Sequence, residues 1–180
     1  YGVVGKTRHR SIESNTSYQV TAISESSENA RKSIPDGIDI YNDYKTLIAS
    51  AELDVIFISL PNQFAAEAAC LSLQNGLHVF CEKPPARTHA ELLEVKKQSL
   101  KFPELKLMYG FNHRFHLSVE EAKLLIDSNS LGRPINMKGV YGKSQMISFN
   151  QDDWRTDREA SGGGILLDQG IHMLDLMRHL

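Results

Sequence analysis

A chain of 180 residues, 41% hydrophobic and 23% charged, has the make-up of an ordinary soluble globular protein and is long enough to bury a substantial core. Its formal net charge of -2 gives no electrostatic reason to expect nucleic acid or an anionic membrane surface as partner. No apolar run approaches the roughly 18 residues of a membrane span, no signal peptide is visible, and two cysteines, Cys70 and Cys81, make neither a disulfide framework nor a zinc site, so the cytoplasm is expected.

The chain opens on Tyr1-Gly2-Val3-Val4-Gly5 with no strand before it and closes on Met177-Arg178-His179-Leu180 inside a helical pattern, so it reads as a piece of a longer polypeptide. Residues 18–23 (YQVTAI) are rich in β-formers, and the serines and acids of 24–29 follow as a helix-starting segment. A brief strand is expected over 38–41 and a short helix over 43–50, with Tyr44, Leu47 and Ile48 on one face. Residues 54–60 (DVIFISL) are almost continuously apolar, as in a central parallel strand covered on both faces, and Pro61-Asn62 ends them. An alanine-rich helix over 64–75 is closed by Gly76. A strand at 79–81 follows, then a helix opened by the capping-box pair Thr88 and Glu91, then a strand at 105–109.

Strands alternating with helices argue for βαβ units, hence an α/β fold with a parallel sheet. Beyond Phe115 the character changes. A helix is expected over 117–129, a break at Gly132-Arg133-Pro134, a longer strand over 135–141, a polar loop over 148–161, and a helix beginning in or just after Gly162-Gly163-Gly164. The expected domains are 1–115 and 116–180, the latter the start of a second domain.

Three groups of residues point to chemistry. Cys81-Glu82-Lys83-Pro84 follows a strand, and in open α/β sheets ligands bind at the carboxyl ends of strands. Lys83 is therefore a candidate catalytic group, although these four residues alone fit a solvated surface turn equally well. Gly2 and Gly5 have the spacing of the second and third glycines of a dinucleotide-binding turn, in which Gly2-Val3-Val4-Gly5 would bring a pyrophosphate onto a helix N-terminus. Glu25, beside Ser24, stands where an acid would bind ribose hydroxyls, favouring NAD over NADP; a plain helix cap is the alternative. Finally, Asp168 and His172 are four apart in a helical pattern, which puts them on one face, and Asp175 follows. A histidine near a carboxylate suits proton transfer, while a surface pair that merely stabilises the helix is the bland reading. No third or fourth metal ligand is clearly supplied, since His113 and His116 lie on a separate segment, so no metal site is expected.

Taken together these stretches resemble the Gfo/Idh/MocA family of NAD(P)-dependent oxidoreductases. The likeness runs in order through Gly2-Val3-Val4-Gly5 with His9 after it, Asp54 to Asn62, Gly76 to Pro84, Gly110-Phe111-Asn112-His113-Arg114-Phe115, Trp154-Arg155, and Gly162 to Asp175. The resemblance implies a Rossmann domain whose first strand would precede Tyr1, followed by the beginning of an α+β domain with a mostly antiparallel open sheet. It implies hydride transfer between NAD or NADP and a secondary hydroxyl or keto group of a sugar or polyol. Lys83 would contact the reacting hydroxyl and the nicotinamide region, and Asp168 and His172 would bind substrate and shuttle the proton. Pro61, Asn62, Glu82, Trp154 and Arg155 would line the cofactor. A homo-oligomer is implied for the full-length protein, with no nucleic acid or membrane partner. The alternative is a non-catalytic, dinucleotide-sensing regulator of the same fold. The chain departs from the pattern at Ala65, where many members carry histidine, and His9 lies one residue further from the last glycine than usual.

Overall fold

The computed structural model describes residues 1–142 and 154–180, which form two compact units, Tyr1–Tyr109 and Gly110–Leu180. In the first, helix α1 (Val3–Glu13) leads to strand β1 (Ala22–Ser24), α2 (Glu28–Arg31), β2 (Asp39–Tyr41), α3 (Tyr44–Ser50), β3 (Val55–Ile58), α4 (Asn62–Gln74), β4 (His78–Cys81), α5 (His89–Lys101) and β5 (Leu107–Tyr109). Every strand pair is parallel. The strands form two sheets, β1–β2 and β3–β4–β5, so among the described residues β1 and β3 are each bonded on one side only. Between them runs a largely apolar cleft of about 180 Å³, which Ile12, Leu47, Ile48, Val55 and Ala68 help to line.

Local signals explain most element boundaries. The Asp43 carboxylate accepts the Thr46 N–H at 2.9 Å and starts α3, and the Ser27 hydroxyl accepts from Ala30 to start α2. Thr88 Oγ1 accepts the Glu91 N–H at 3.2 Å, as the capping pattern predicts. The Glu91 carboxylate reaches back to the Thr88 backbone and also to Arg87, taking the Arg87 backbone N–H at 2.8 Å and its guanidinium Nε at 3.0 Å. Gly76, with φ 78°, adopts the left-handed conformation that ends α4, and the chain turns directly into β4.

The core lies where α4 meets β3, β4 and α5. Ala65, Ala66, Ala68, Ala69, Ser72 and Leu73 of α4 are all buried, with Ile58, Val79, Cys81 and Val95 among their buried neighbours. The strands are shorter than their apolar runs because a ladder needs a partner backbone. The run 18–23 enters β1 only at Ala22, although the Asp39 N–H already bonds the Thr21 carbonyl at 2.9 Å.

The second unit contains a 3₁₀ turn (Asn112–Phe115), α6 (Leu117–Asp127), α7 (Arg158–Ser161), a π-helical turn (Leu166–Gly170) and α8 (Ile171–His179). Here two expectations are corrected. Residues 135–141 form no strand; no other strand backbone is described beside them, and Ile135 and Val140 are exposed. The loop expected over 148–161 lies outside the described residues as far as 153, and beyond them Arg158–Ser161 is a helical turn whose N–H groups at Glu159 and Ala160 are capped by Asp157. The helix expected just after the glycine triplet does start there, at Ile165, and is a regular α-helix from Ile171. Before it the backbone widens into the π turn, where Leu166 lies across Gly170 so closely that a Cβ there would meet its Cδ1 at 2.6 Å.

Truncating Leu73, which has no exposed surface, to alanine should lower unfolding free energy by about 2–5 kcal/mol, read as a lower denaturant midpoint at unchanged m-value. Glu91 carries a pH dependence of known sign. Burial raises its carboxyl pKa, but the hydrogen bonds and charge of Arg87 outweigh this and hold it below the ordinary 4.5. A folded-state pKa below the unfolded one stabilises the fold above that unfolded value and loses the contribution as pH falls through the depressed one. Glu91→Gln should therefore flatten the stability profile below pH 4.5, measured by thermal melts across acid pH.

Candidate functional site

The first unit gathers its candidate residues at strand ends. Helix α1 begins at Gly2, which offers no side-chain cap, and its first turn contains no acid. Its leading N–H groups therefore have no side-chain cap from Gly2, and a Cβ on Gly2 would meet nothing within 4 Å, so the approach is open. Glu25 directly follows β1. Its carboxylate accepts the Ser27 N–H at 2.8 Å and lies against the backbone nitrogen of Tyr1. The acid and the glycine turn, far apart in sequence, are therefore neighbours. Arg31, a nearby cation that could have served a 2′-phosphate, instead donates to the Glu25 and Ser26 carbonyls at 2.6 and 3.0 Å. His9 is buried behind the turn, bonded to the Tyr1 hydroxyl through Nδ1 and 3.3 Å from Glu13 through Nε2.

The Lys83 segment is set by register. Ile58 of β3 pairs with Cys81 of β4, and the Glu82 N–H continues the ladder to the Ile58 carbonyl at 2.9 Å. Consequently Glu82 and Lys83 leave β4 at the same level as the turn through Pro61 and Asn62 leaves β3. Asn62 is buried at the start of α4, and the Lys83–Pro84 peptide is cis. Arg8 of α1 was not singled out by the sequence, yet its Nε donates to Glu82 Oε1 at 2.7 Å and its guanidinium lies 5.0 Å above the Phe80 ring. No local pattern signals a partnership across 74 residues. His78 accepts the Lys106 N–H through Nδ1 at 2.9 Å and ties in the approach to β5.

In the second unit Asp168 stands in the π turn and accepts from Gln169 Nε2 at 2.8 Å, while His172 is in the first turn of α8, its residue only 5% exposed. The two residues therefore do not share a continuous α-helical face. The His113 ring stacks on His172 with centroids 4.0 Å apart and planes 16° from parallel. A segment that the sequence leaves separate from His172 is thus folded against it. Asp175 is bonded by both arms of Arg114, Nε to Oδ2 at 2.7 Å and Nη2 to Oδ1. The Arg155 guanidinium stacks 4.5 Å from the Trp154 ring. Among the described residues no group of three or more His, Cys, Asp or Glu is arranged to hold a metal ion, and no helix is long and apolar enough to cross a membrane.

Comparison with known proteins accords with this arrangement. The model of the oxidoreductase family with the NAD-binding Rossmann fold matches residues 1–110, and that of the GFO/IDH/MocA C-terminal domain matches 119–180. The chain is 32% identical to the D-glucoside 3-dehydrogenase of Escherichia coli over 143 residues, covering 76% of this chain and 38% of that protein. Against the levoglucosan dehydrogenase of Pseudarthrobacter phenanthrenivorans it is 31% identical over 140 residues, covering 77% and 36%. The crystal structure of myo-inositol 2-dehydrogenase from Lactobacillus plantarum superposes with a TM-score of 0.82 at 27% identity, over 99% of this chain and 53% of that one. The chain thus spans between about a third and a half of the length of these relatives.

Cys81, at the end of β4, is fully buried, and burial followed by the nearby Glu82 charge pushes its thiol up to about 12. It should resist alkylation at pH 7–8 until the protein is unfolded. Rapid native-state labelling of Cys81, mapped by mass spectrometry, would show that β4 does not end as described.

Proposed function

This chain belongs to the Gfo/Idh/MocA oxidoreductase family, and on that premise we propose that the full-length protein transfers hydride between NAD(P) and a secondary hydroxyl or keto group of a sugar or polyol. Residues 1–115 hold the dinucleotide, and 116–180 open the domain that carries the substrate groups. The observation that supports this best is the uncapped N-terminus of α1 beside the Glu25 carboxylate, with Lys83 leaving β4 at a strand end of the same unit. The first two match a dinucleotide's two demands: amides for the diphosphate and a carboxylate for the ribose hydroxyls.

When bound, the nicotinamide supplies the hydride acceptor or donor. Gly2, Val3, Val4 and Gly5 cradle the diphosphate; Ser24 and Glu25 hold the ribose. Pro61, Asn62, Glu82, Trp154 and Arg155 line the rest of the cofactor. In the oxidative direction the C–H pair leaves the carbinol carbon as hydride, and the hydroxyl proton passes to His172. In the reductive direction His172 returns it. Lys83, a cation at the reacting oxygen, stabilises developing alkoxide charge, and Asp168 anchors a neighbouring hydroxyl. The committed guanidinium of Arg31 and the charge of Glu25 favour NAD over NADP.

In the full-length enzyme, reduced-cofactor absorbance on a panel of sugars and polyols should reveal turnover. Binding of the dinucleotide without turnover of any of them would instead identify a sensor. Lys83→Ala and His172→Ala should each cut kcat by about 10² or more, and near-normal turnover in either removes that residue from the chemistry. Glu25→Gln should narrow the preference for NAD over NADP by about tenfold in calorimetric titrations.

A further inference from the structure

We infer that His113 is a positioning residue for His172, its imidazole lying flat on that ring and fixing the plane in which His172 exchanges a proton. This rests on the reading of His172 as the proton-transfer group. The terminal torsion of a histidine is broad and holds no plane by itself, so packing must supply one. Here the packing is aromatic. His113 covers one face of the His172 ring at 4.0 Å and 16°, Phe111 stands nearly perpendicular to it at 6.2 Å and 86°, and Tyr141 approaches both imidazoles, at 5.2 Å from His113 and 6.1 Å from His172.

The contact between His113 and His172 is held from outside as well. Arg114, next to His113, is clamped by both nitrogens to Asp175, three residues beyond His172 on α8. The 3₁₀ turn and the helix are thereby pinned at adjacent points, and neither can slide without breaking a bidentate ion pair. The titratable groups around the stack are His116, 5.1 Å from His113, the Tyr141 phenol, the paired Arg114 and Asp175, and Asp168 in the preceding turn. Two imidazoles this close do not both take a proton readily, because the second charge is repelled by the first.

Two substitutions in the full-length enzyme separate plane-setting from mere folding. His113→Ala removes the covering ring and should lower kcat about 10- to 100-fold with KM changed far less. His113→Phe keeps a flat ring but cannot be protonated. It should restore most of kcat, again with KM changed little. If His113→Ala fails to fold, His113→Gln, which fills the space without a ring, takes its place and should be as impaired as the alanine variant. Wild-type kcat in the ringless variant, alongside an inactive His172→Ala, overturns this inference and leaves the proposed function standing. A phenylalanine variant as impaired as the alanine one also overturns it, since the imidazole would then act directly. Full turnover in His172→Ala overturns both.

Discussion

The first unit depends on how closely α4 can lie against its sheet. Four alanines and Ser72 form the buried side of that helix, and the Ser72 hydroxyl satisfies itself on the Ala68 carbonyl at 2.7 Å. Small side chains permit close approach, and the full burial of Leu73, Cys81 and Val95 supplies the larger apolar gain, about 1.5–3 kcal/mol for a side chain the size of leucine or valine. With the helix seated, β3 and β4 have one register available, because a slip of one residue would turn their apolar faces outward. Everything beyond the strand ends inherits that register, including Asn62 on one side and Lys83 on the other.

A second device recurs in both units. Arg8 binds Glu82, the residue before Lys83, and Arg114 binds Asp175, one turn beyond His172. In each case a guanidinium from a remote segment takes a carboxylate close to a candidate catalytic residue and holds it in a defined geometry. Arginine suits this task because its fork of donors fixes direction as well as charge. Each carboxylate is largely shielded, with side-chain exposures of 17% for Glu82 and 9% for Asp175, so these pairs are better sheltered from solvent screening than exposed surface bridges.

The features legible in the sequence are those written in a few adjacent residues. Asp43 and Thr88 as caps, Gly76 as a stop, and the apolar run ending at Pro61-Asn62 all specify local backbone, and the fold respects them. Family motifs likewise carried the Rossmann assignment. Illegible were the contacts between segments: Arg8 with Glu82, and His113 on His172, neither of which leaves a periodic trace. The π turn at Leu166–Gly170 was also hidden, since an i, i+4 spacing describes an α-helix and says nothing of an extra residue in a turn. Residues 135–141 show the converse, a run of strand-forming residues with no described strand to pair with.

Strand β4 has a further consequence for how such a site can change. Its side chains alternate, Val79 and Cys81 inward and His78 and Phe80 half-exposed, and Gly76 fixes its start just as Cys81 fixes its end. The stretch from Gly76 to Lys83 therefore works as a ruler read from a buried thiol, with no slack at either end. The connections that precede β1 and β2 can absorb added or lost residues at little cost. One residue gained or lost on the ruler would send the lysine to the opposite side of the sheet. Variation in what the site accepts must accumulate around this stretch and leave its length untouched.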